Sequence, residues 1–414
     1  MKGILSLKIR KLHCRRQKGE QTRLMRTQVY AGEALARYGF PGGHPFSTHR
    51  FGAFYKEFEK RNLARRTTVV EPANGDTDLL RSFHNDAYVS LVRQNSDRGF
   101  GLLDRGDTPA FAGCFEAALT VCATALAATE AIMAGETETA FVPIAGLHHA
   151  RRNMAGGFCI FNDAGIVIEK LFAEYDLKRI AYVDIDAHHG DGVEALFVDD
   201  PRVLTASIHE SGRTLFPGTG WARDIGTGKG EGYAVNVALP PGTTDSAWLR
   251  AIRSSLLPIV RAFRPQVLVT QHGCDTHADD PLANLVMTVD AQRQAALDLH
   301  ELAHDVCDGK WVALGGGGYA VVDVVPRAWT HLTAIAKHTP IPVDTPTPEG
   351  WREYVEQLTG RPAPTRMGDL PVGEAPIWVQ PWAMGYNPHS PVDRAVMATR
   401  EATFSHHGLD VWYD

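Results

Sequence analysis

Apolar residues recur along this chain in two alternating rhythms. Short runs rich in β-branched residues, at Thr139 to Ile144, Arg179 to Val183, Val203 to Ile208, Tyr233 to Leu239, Gln266 to Gln271 and Trp311 to Leu314, read as strands. Between them, apolar residues three or four apart predict helices over Phe111 to Ala134, Asn162 to Tyr175, Ser246 to Ala262 and Asp290 to Asp308. Near-continuous apolar strands alternating with helices predict an α/β fold, a single-domain, doubly wound and mainly parallel sheet flanked by helices. Beyond about Lys337 the chain turns Pro- and Trp-rich, with one helix expected near Gly350 to Leu358 and little periodicity after it. The expected organisation is a basic extension over 1–26, an α/β domain over 27–337 and a surface-packed extension over 338–414.

Four of the strands run into unusual polar sequences: Gly146-Leu-His148-His149, Asp184 to Asp191, His272-Gly-Cys-Asp275 and Gly315-Gly-Gly-Gly-Tyr319. In a parallel sheet all four gather at the carboxyl edge, where open α/β folds bind ligands. Asp and His are depleted in strands and costly to bury unpaired, so Asp184, Asp186, His188, His189 and Asp191 in eight residues point to a metal site launched from a strand end.

Asp186 and His188 offer an oxygen and a nitrogen, and Asp275 completes a three-ligand set that leaves a position for water. That is the open arrangement of a catalytic Zn²⁺; oxygen-rich ligation also suits Fe²⁺ or Mn²⁺. Asp184 and Asp191 remain to orient His148 and His149 as two His–Asp dyads for acid–base work. Glycines before Tyr319 let a loop pass close to the metal and place a phenol beside a developing oxyanion. They lack the Lys-Ser/Thr of a phosphate loop.

Composition narrows the class without changing the fold. The chain has 414 residues, 44% hydrophobic and 22% charged, and its net charge of −6 hides an uneven distribution. Residues 1–26 carry nine Lys/Arg and one Glu, which leaves 33 basic and 47 acidic residues, or −14, in the remainder. The acidic body suits cationic ligands, and a nucleic-acid partner is not expected. The basic segment has the composition of a transit peptide or arm, or of an upstream stretch before a true start at Met25. Six scattered cysteines without a C-x-x-C pair suit a reducing cytoplasm, and no uninterrupted apolar run reaches membrane-spanning length. His406-His407 reads as a solvated pair in the tail.

With these residues assembled, the chain resembles the zinc-dependent histone deacetylase superfamily and, within it, the bacterial acetoin-utilisation deacetylases. Gly43-His-Pro, His49-Arg50, Asp107-Thr-Pro, Gly146 to Ala150, Gly156-Gly157-Phe158-Cys159, Asp184 to Gly192, Phe216 to Gly220, Gly273-Cys-Asp275 and Leu314 to Tyr319 carry the resemblance, over about Gly43 to Thr333. It implies zinc ligands Asp186, His188 and Asp275, dyads of His148 and His149 with Asp184 and Asp191, and Tyr319 as the carbonyl-polarising phenol. It also implies an acyl-lysine tunnel walled by Phe158 and Phe216 with the Gly157 carbonyl and a Leu282 rim. Asp107 would be a peptide clamp, and Arg50 would line an acetate channel. Structural K⁺ is implied at Asp184, Asp186, His188, Ser207 and Ile208, and at a second site of Phe197, Asp200, Val203 and Tyr233.

The expected activity is removal of acetyl groups from Nε-acetyl-lysine of proteins with release of acetate, acetyl-CoA synthetase being one target the resemblance suggests. An acetylpolyamine amidohydrolase shares the chemistry and suits the acidic body. An arginase-like binuclear Mn²⁺ ureohydrolase needs further bridging carboxylates, where this chain has Gly190 and His277; a non-catalytic acyl-lysine-binding protein would not need the dyads or the phenol. Ala320, in place of the Asn usual after the family's Tyr, and His277 depart from the family pattern, and His277 leaves the metal count open.

Overall fold

The computed structural model describes residues 27–65 and 67–414, so the basic segment 1–26 lies outside the described residues. The expected strands form, and with two more they build one eight-stranded, all-parallel sheet: β1 Thr27–Tyr30, β2 Thr68–Val70, β3 Thr139–Val142, β4 Ile180–Asp184, β5 Val203–Glu210, β6 Ala234–Leu239, β7 Val267–Gln271 and β8 Trp311–Leu314, in the order β2-β1-β3-β8-β7-β4-β5-β6. β7 and β8 slot between β3 and β4, so the chain reverses its direction of travel across the sheet at its centre. β3, β4, β7 and β8 are buried at every position, as expected of parallel strands covered on both faces.

Register carries the functional consequence. Val142 pairs with Leu314, Leu314 with Gln271, Gln271 with Asp184, and Asp184 with Ser207, so the central strands finish in one row. The four polar sequences leave from that row, and loops far apart in sequence become neighbours.

Helices cover both faces. Cys114–Met133 is long and apolar enough to cross a membrane, but two-thirds of that apolar stretch is buried inside the fold, packed on Asp163–Glu174 and β3; an all-round apolar helix of this kind is a core element. The expected Ser246 to Ala262 helix forms as Asp245–Ala251 and Leu257–Phe263, joined through a π-type turn. His49–Lys60, Asp86–Arg98 and Val325–Ala336 form without having been expected.

The C-terminal stretch holds more structure than its periodicity announces. Glu349–Thr359 forms near the expected place, and its Trp351, fully buried, donates from Nε1 to the Ala53 carbonyl at 3.2 Å. A further helix, Pro391–Thr403, packs on the edge strand β6; Ser390 caps it by accepting from the Asp393 amide, with Pro391 at its first turn. Arg250 ties it down: its Nε and Nη2 reach the Asp393 carboxylate at 3.0 and 3.1 Å, and its other donations go to the carbonyls of Gln380, Pro381 and Gly385. His407 is likewise engaged rather than solvated, bonding the Gly232 carbonyl at 2.8 Å, because the last helix brings it against Tyr233.

Both partners of the Arg250–Asp393 pair are buried, so removing one strands the other. Asp393→Ala is expected to destabilise the protein by on the order of 3 kcal/mol, seen as a lower urea midpoint at an unchanged slope. An unchanged midpoint would show that the extension contributes nothing through this pair.

Candidate functional site

β4 delivers Asp184 at its last residue, and Asp184 organises the turn that leaves the strand. Its Oδ2 accepts from the Tyr182 hydroxyl at 2.8 Å and faces His148 Nδ1 at 2.7 Å, while Oδ1 accepts the Asp186 amide at 3.1 Å. The turn presents Asp186 and His188 to Asp275, which the neighbouring β7 end supplies. His188 Nδ1 stands 3.1 Å from both Asp186 Oδ1 and Asp275 Oδ2. One imidazole nitrogen holds at most one proton, so it cannot satisfy both carboxylates, and a cation among the three donors can. Burial, reinforced by the Asp186 charge, pushes Asp275 up to about 7 although His188 opposes it. The donor set is that of a divalent metal with an open position.

The remaining lone pairs of the set are already committed, which fixes the carboxylate orientations. Asp186 Oδ2 accepts from Gln271 Nε2 at 2.7 Å and the Gly317 amide at 3.0 Å, and Asp275 Oδ1 accepts the Ala187 amide at 2.8 Å. Glycine is required at two contacts: a Cβ on Gly273 would lie 1.9 Å from Asp186 Oδ2, and one on Gly317 would lie 2.3 Å from Asp275 Oδ2.

His148 and His149 sit beside this cluster on a loop held by the start of Asp163–Glu174. The Asp163 carboxylate accepts the Gly146 and Leu147 amides, and Asn162 Nδ2 donates to the His148 and Ala150 carbonyls. His149 Nδ1 pairs with Asp191 at 2.8 Å, and the two Nε2 atoms face each other at 3.0 Å. The expected dyads therefore form, with opposite tuning. Burial alone would lower His148, but the charges of Asp184 and Asp186 overcome it and hold it up to about 9. For His149 burial and the neighbouring His148 charge win over Asp191, and it falls to about 3. Asp191 is held down to about 2 because hydrogen bonds from His149 and an Arg151 fork outweigh its burial. At neutral pH the pair is one imidazolium and one neutral imidazole.

Tyr319 reaches the site on its glycine loop, with its amide donating to buried Asp280 at 2.7 Å and its ring edge-on to Phe158 at 5.6 Å. Burial and the charges of Asp275 and Asp186 push the phenol well above its usual range, so it stays a donor. Phe158 adopts φ 68°, and a Cβ on Gly157 would sit 2.3 Å from the His149 ring, so bare backbone lines the approach here. Phe216, 45% exposed, stands edge-on to His149 at 5.0 Å. Asp107, His149, Asp191 and Phe216 line one cleft of about 600 Å³. Asp107 is exposed at its rim, and its hydrogen bond with Asp104 pushes it up to about 6. Half-buried Leu282 donates its amide to Asp280 at 2.9 Å, and the same carboxylate takes the Tyr319 amide.

Arg50 lies behind the cluster, fully buried between Phe46 and Trp329, donating from Nη2 to the Gly316 and Gly317 carbonyls at 2.7 and 3.1 Å. Its Nε and Nη1 have no hydrogen-bond partner among the described residues. Ser207 neighbours Asp184 in the sheet register, with buried Ile208 next to it, and its hydroxyl pairs with His209 at 2.8 Å. Phe197, Asp200 and Val203 share one turn through amide–carbonyl bonds, and the Tyr233 carbonyl accepts from Thr205 beside it. The Asp200 carboxylate there is taken by Arg202.

The structure answers the question that His277 raised. Its Nε2 pairs with Asp369 of the C-terminal extension at 3.1 Å and its Nδ1 accepts the Asp279 amide at 3.0 Å, so both nitrogens are used away from the metal donors. His189 is similarly structural, bonded to Thr219 and Glu194. Gln271, Tyr182, Asp280 and Arg151 are absent from the residues the sequence singles out, since Gln271 and Tyr182 lie inside predicted strands and no local pattern marks the other two.

A histone deacetylase domain matches residues 44–336. The acetoin utilization protein AcuC of Bacillus subtilis is 39% identical over 317 residues, covering 74% of this chain and 81% of its own length. The acetoin utilization proteins AcuC of Staphylococcus xylosus and Staphylococcus aureus (strain MRSA252) are 33% and 32% identical, covering 82% and 84% of this chain and 90% and 92% of their own lengths. The matched span contains all four carboxyl-edge loops, and the chain belongs to the histone deacetylase family.

Proposed function

We propose that this deacetylase is a Zn²⁺-dependent hydrolase that removes the acetyl group from Nε-acetyl-lysine side chains of proteins and releases acetate. The observation that carries the reading is the convergence of the Asp186, His188 and Asp275 donors with two oppositely tuned His–Asp pairs and a protonated phenol. Bound there by those three residues, Zn²⁺ would act as a Lewis acid toward the amide carbonyl and make water acidic enough to attack.

The chain's own groups supply the rest. Neutral His149, whose Nδ1–H is engaged by Asp191, is the base that accepts the proton of the attacking water at Nε2. Charged His148 supplies the proton that the departing amine takes up, and the 3.0 Å contact lets the proton on His149 pass to His148 and restore both. Two like groups pushed apart in pKa by their surroundings are what such a division of labour requires. Tyr319 donates its hydroxyl to the carbonyl oxygen as negative charge develops. Phe158 and Phe216 flank the lysine methylenes beside the Gly157 backbone, Leu282 forms the rim, and Asp107 accepts backbone amides of a peptide substrate. Arg50, whose Nε and Nη1 are uncommitted among the described residues, receives acetate behind the cluster.

Structural K⁺ at the Asp184, Asp186, His188, Ser207 and Ile208 set would support β4 and its turn; a second ion fits the turn carbonyls of Phe197, Asp200 and Val203 with Tyr233. The compartment proposed is the cytoplasm, where the buried, free cysteines Cys114, Cys122, Cys159, Cys274 and Cys307 would remain reduced. Acetyl-CoA synthetase is the proposed target. Acetylpolyamines are the competing substrate class, favoured by the acidic body; direct competition between an acetyl-lysine peptide and acetylspermidine decides between them, with the peptide expected to win and Asp107→Ala to weaken the peptide alone.

Tyr319→Phe is expected to lower kcat by about 10²- to 10³-fold with little change in KM; full activity in that variant would overturn the phenol's role. Chelation should abolish turnover of an acetyl-lysine peptide, and Zn²⁺ should restore it; recovery with Fe²⁺ alone would reassign the metal. His148 is held up to about 9, so its charged form prevails below that pH and is lost above it. Asp184→Asn removes the carboxylate that opposes burial, and the His148 NMR titration and the alkaline limb of kcat/KM should both move to lower pH. A limb that stays in place would exclude His148 as the titrating group.

A further inference from the structure

A second group of imidazoles converges well away from the catalytic loops. The helix Val289–Cys307 starts beyond the carboxyl end of β7 and ends before the amino end of β8, so its last turns lie toward the opposite edge of the sheet from Asp275. His300 and His304 stand one turn apart on it, with Nε2 atoms 3.3 Å apart. His338, two residues past the end of Val325–Ala336, closes over both, its ring centroid 4.5 Å from His300 and 5.0 Å from His304. One nitrogen of each ring lies within 4.8 Å of the other two.

Zn–N bonds of about 2.0–2.1 Å in a tetrahedron put ligand nitrogens about 3.4 Å apart, so the helical pair already stands at ligand spacing and a small side-chain rotation brings in the third. None of the three side chains has a hydrogen-bond or ion-pair partner among the described residues other than another of the three. His338 also adopts φ 58°, a left-handed position that helix ends usually give to Gly or Asn. Burial, then the neighbouring rings, lowers His300 to about 4, and His338 is lowered for the same reasons, so lone pairs are available at neutral pH.

We propose that His300, His304 and His338 form a second, non-catalytic site for a borderline divalent transition metal, with Zn²⁺ as the fitting ion. Three imidazoles without an oxygen donor suit Zn²⁺, Ni²⁺ or Cu²⁺ and exclude Mg²⁺ and Ca²⁺. The ion would staple the helix that follows the Asp275 loop to the end of the helix that follows the Tyr319 loop, at the point where the C-terminal extension begins. An ion bound only by the folded state raises stability by mass action.

The test is metal content after chelation and dialysis of the full chain against Zn²⁺, read by elemental analysis. His304→Gln and His338→Asn should each hold one equivalent fewer than the wild type, with circular dichroism and deacetylase activity unchanged. Asn is at home in the left-handed region, so His338→Asn spares the backbone. Asp275→Asn should keep the histidine-held equivalent, which separates this site from the catalytic one. The Zn²⁺-dependent rise in unfolding temperature should shrink in both histidine variants. Zn²⁺ content equal to wild type in His304→Gln and His338→Asn would overturn the proposal.

Discussion

Two buried carboxylates that face one imidazole nitrogen set the terms for everything around them. Asp186 and Asp275 are both removed from water and both lie 3.1 Å from His188 Nδ1. Such an arrangement is unfavourable by itself, because a second buried negative charge near the first raises its own protonation. It is held in place by the all-parallel sheet. Asp184 and Gln271 are register partners at the ends of β4 and β7, so the loops beyond them have little freedom in where Asp186 and Asp275 can go. Amides and Gln271 then use up the outward lone pairs and leave the inward ones for a cation. Fold and metal requirement are two statements of one constraint.

The neighbouring histidines inherit that field. His148 lies close enough to Asp184 and Asp186 to be charged, and its charge joins burial in keeping His149 neutral. The difference between two chemically identical side chains therefore comes from position alone. Arg151 matters here although its guanidinium is substantially exposed: with the His149 hydrogen bond, it keeps buried Asp191 ionised. The same fields act on Tyr319, where nearby negative charge and burial keep the phenol protonated.

The central strands and the candidate metal donors were legible because two strong signals coincided. β4 is an apolar run that ends on Asp184 and β7 is buried throughout, and Asp186, His188 and Asp275 follow within four residues of these strands, so chemistry and topology pointed to one edge. β1 and β2 escaped notice since β1 opens on polar Thr27 and Gln28 and β2 is three residues, none of them fully buried. Pro391–Thr403 was missed because Val392, Val396 and Met397 make a narrow stripe among small and charged residues, although Ser390 and Pro391 signalled its start. Roles set by distant partners were not legible either. His277 looked like a spare metal ligand until Asp369, 92 residues away, appeared beside it. Gln271 could not be told from a strand residue without knowing that β4 ends next to it.

That distant partner changes how the C-terminal extension relates to the site. Asp369 accepts from Arg327 and from the Val289 amide as well as pairing with His277, and its own amide donates to Asp290 at 2.6 Å. Although burial opposes its charge, hydrogen bonding from His277 and the Arg327 charge hold its carboxyl well below the usual range. One tail residue thus joins the segment after Asp275, the start of Val289–Cys307 and the helix after the Tyr319 loop. Those elements follow the loops that carry Asp275 and Tyr319, so their relative position bears on the distance between that carboxylate and the phenol. A segment that reads as a surface wrapping is, at this residue, part of the frame that holds the chemistry, because a charge shared among three elements resists their separation more than contacts within any one of them.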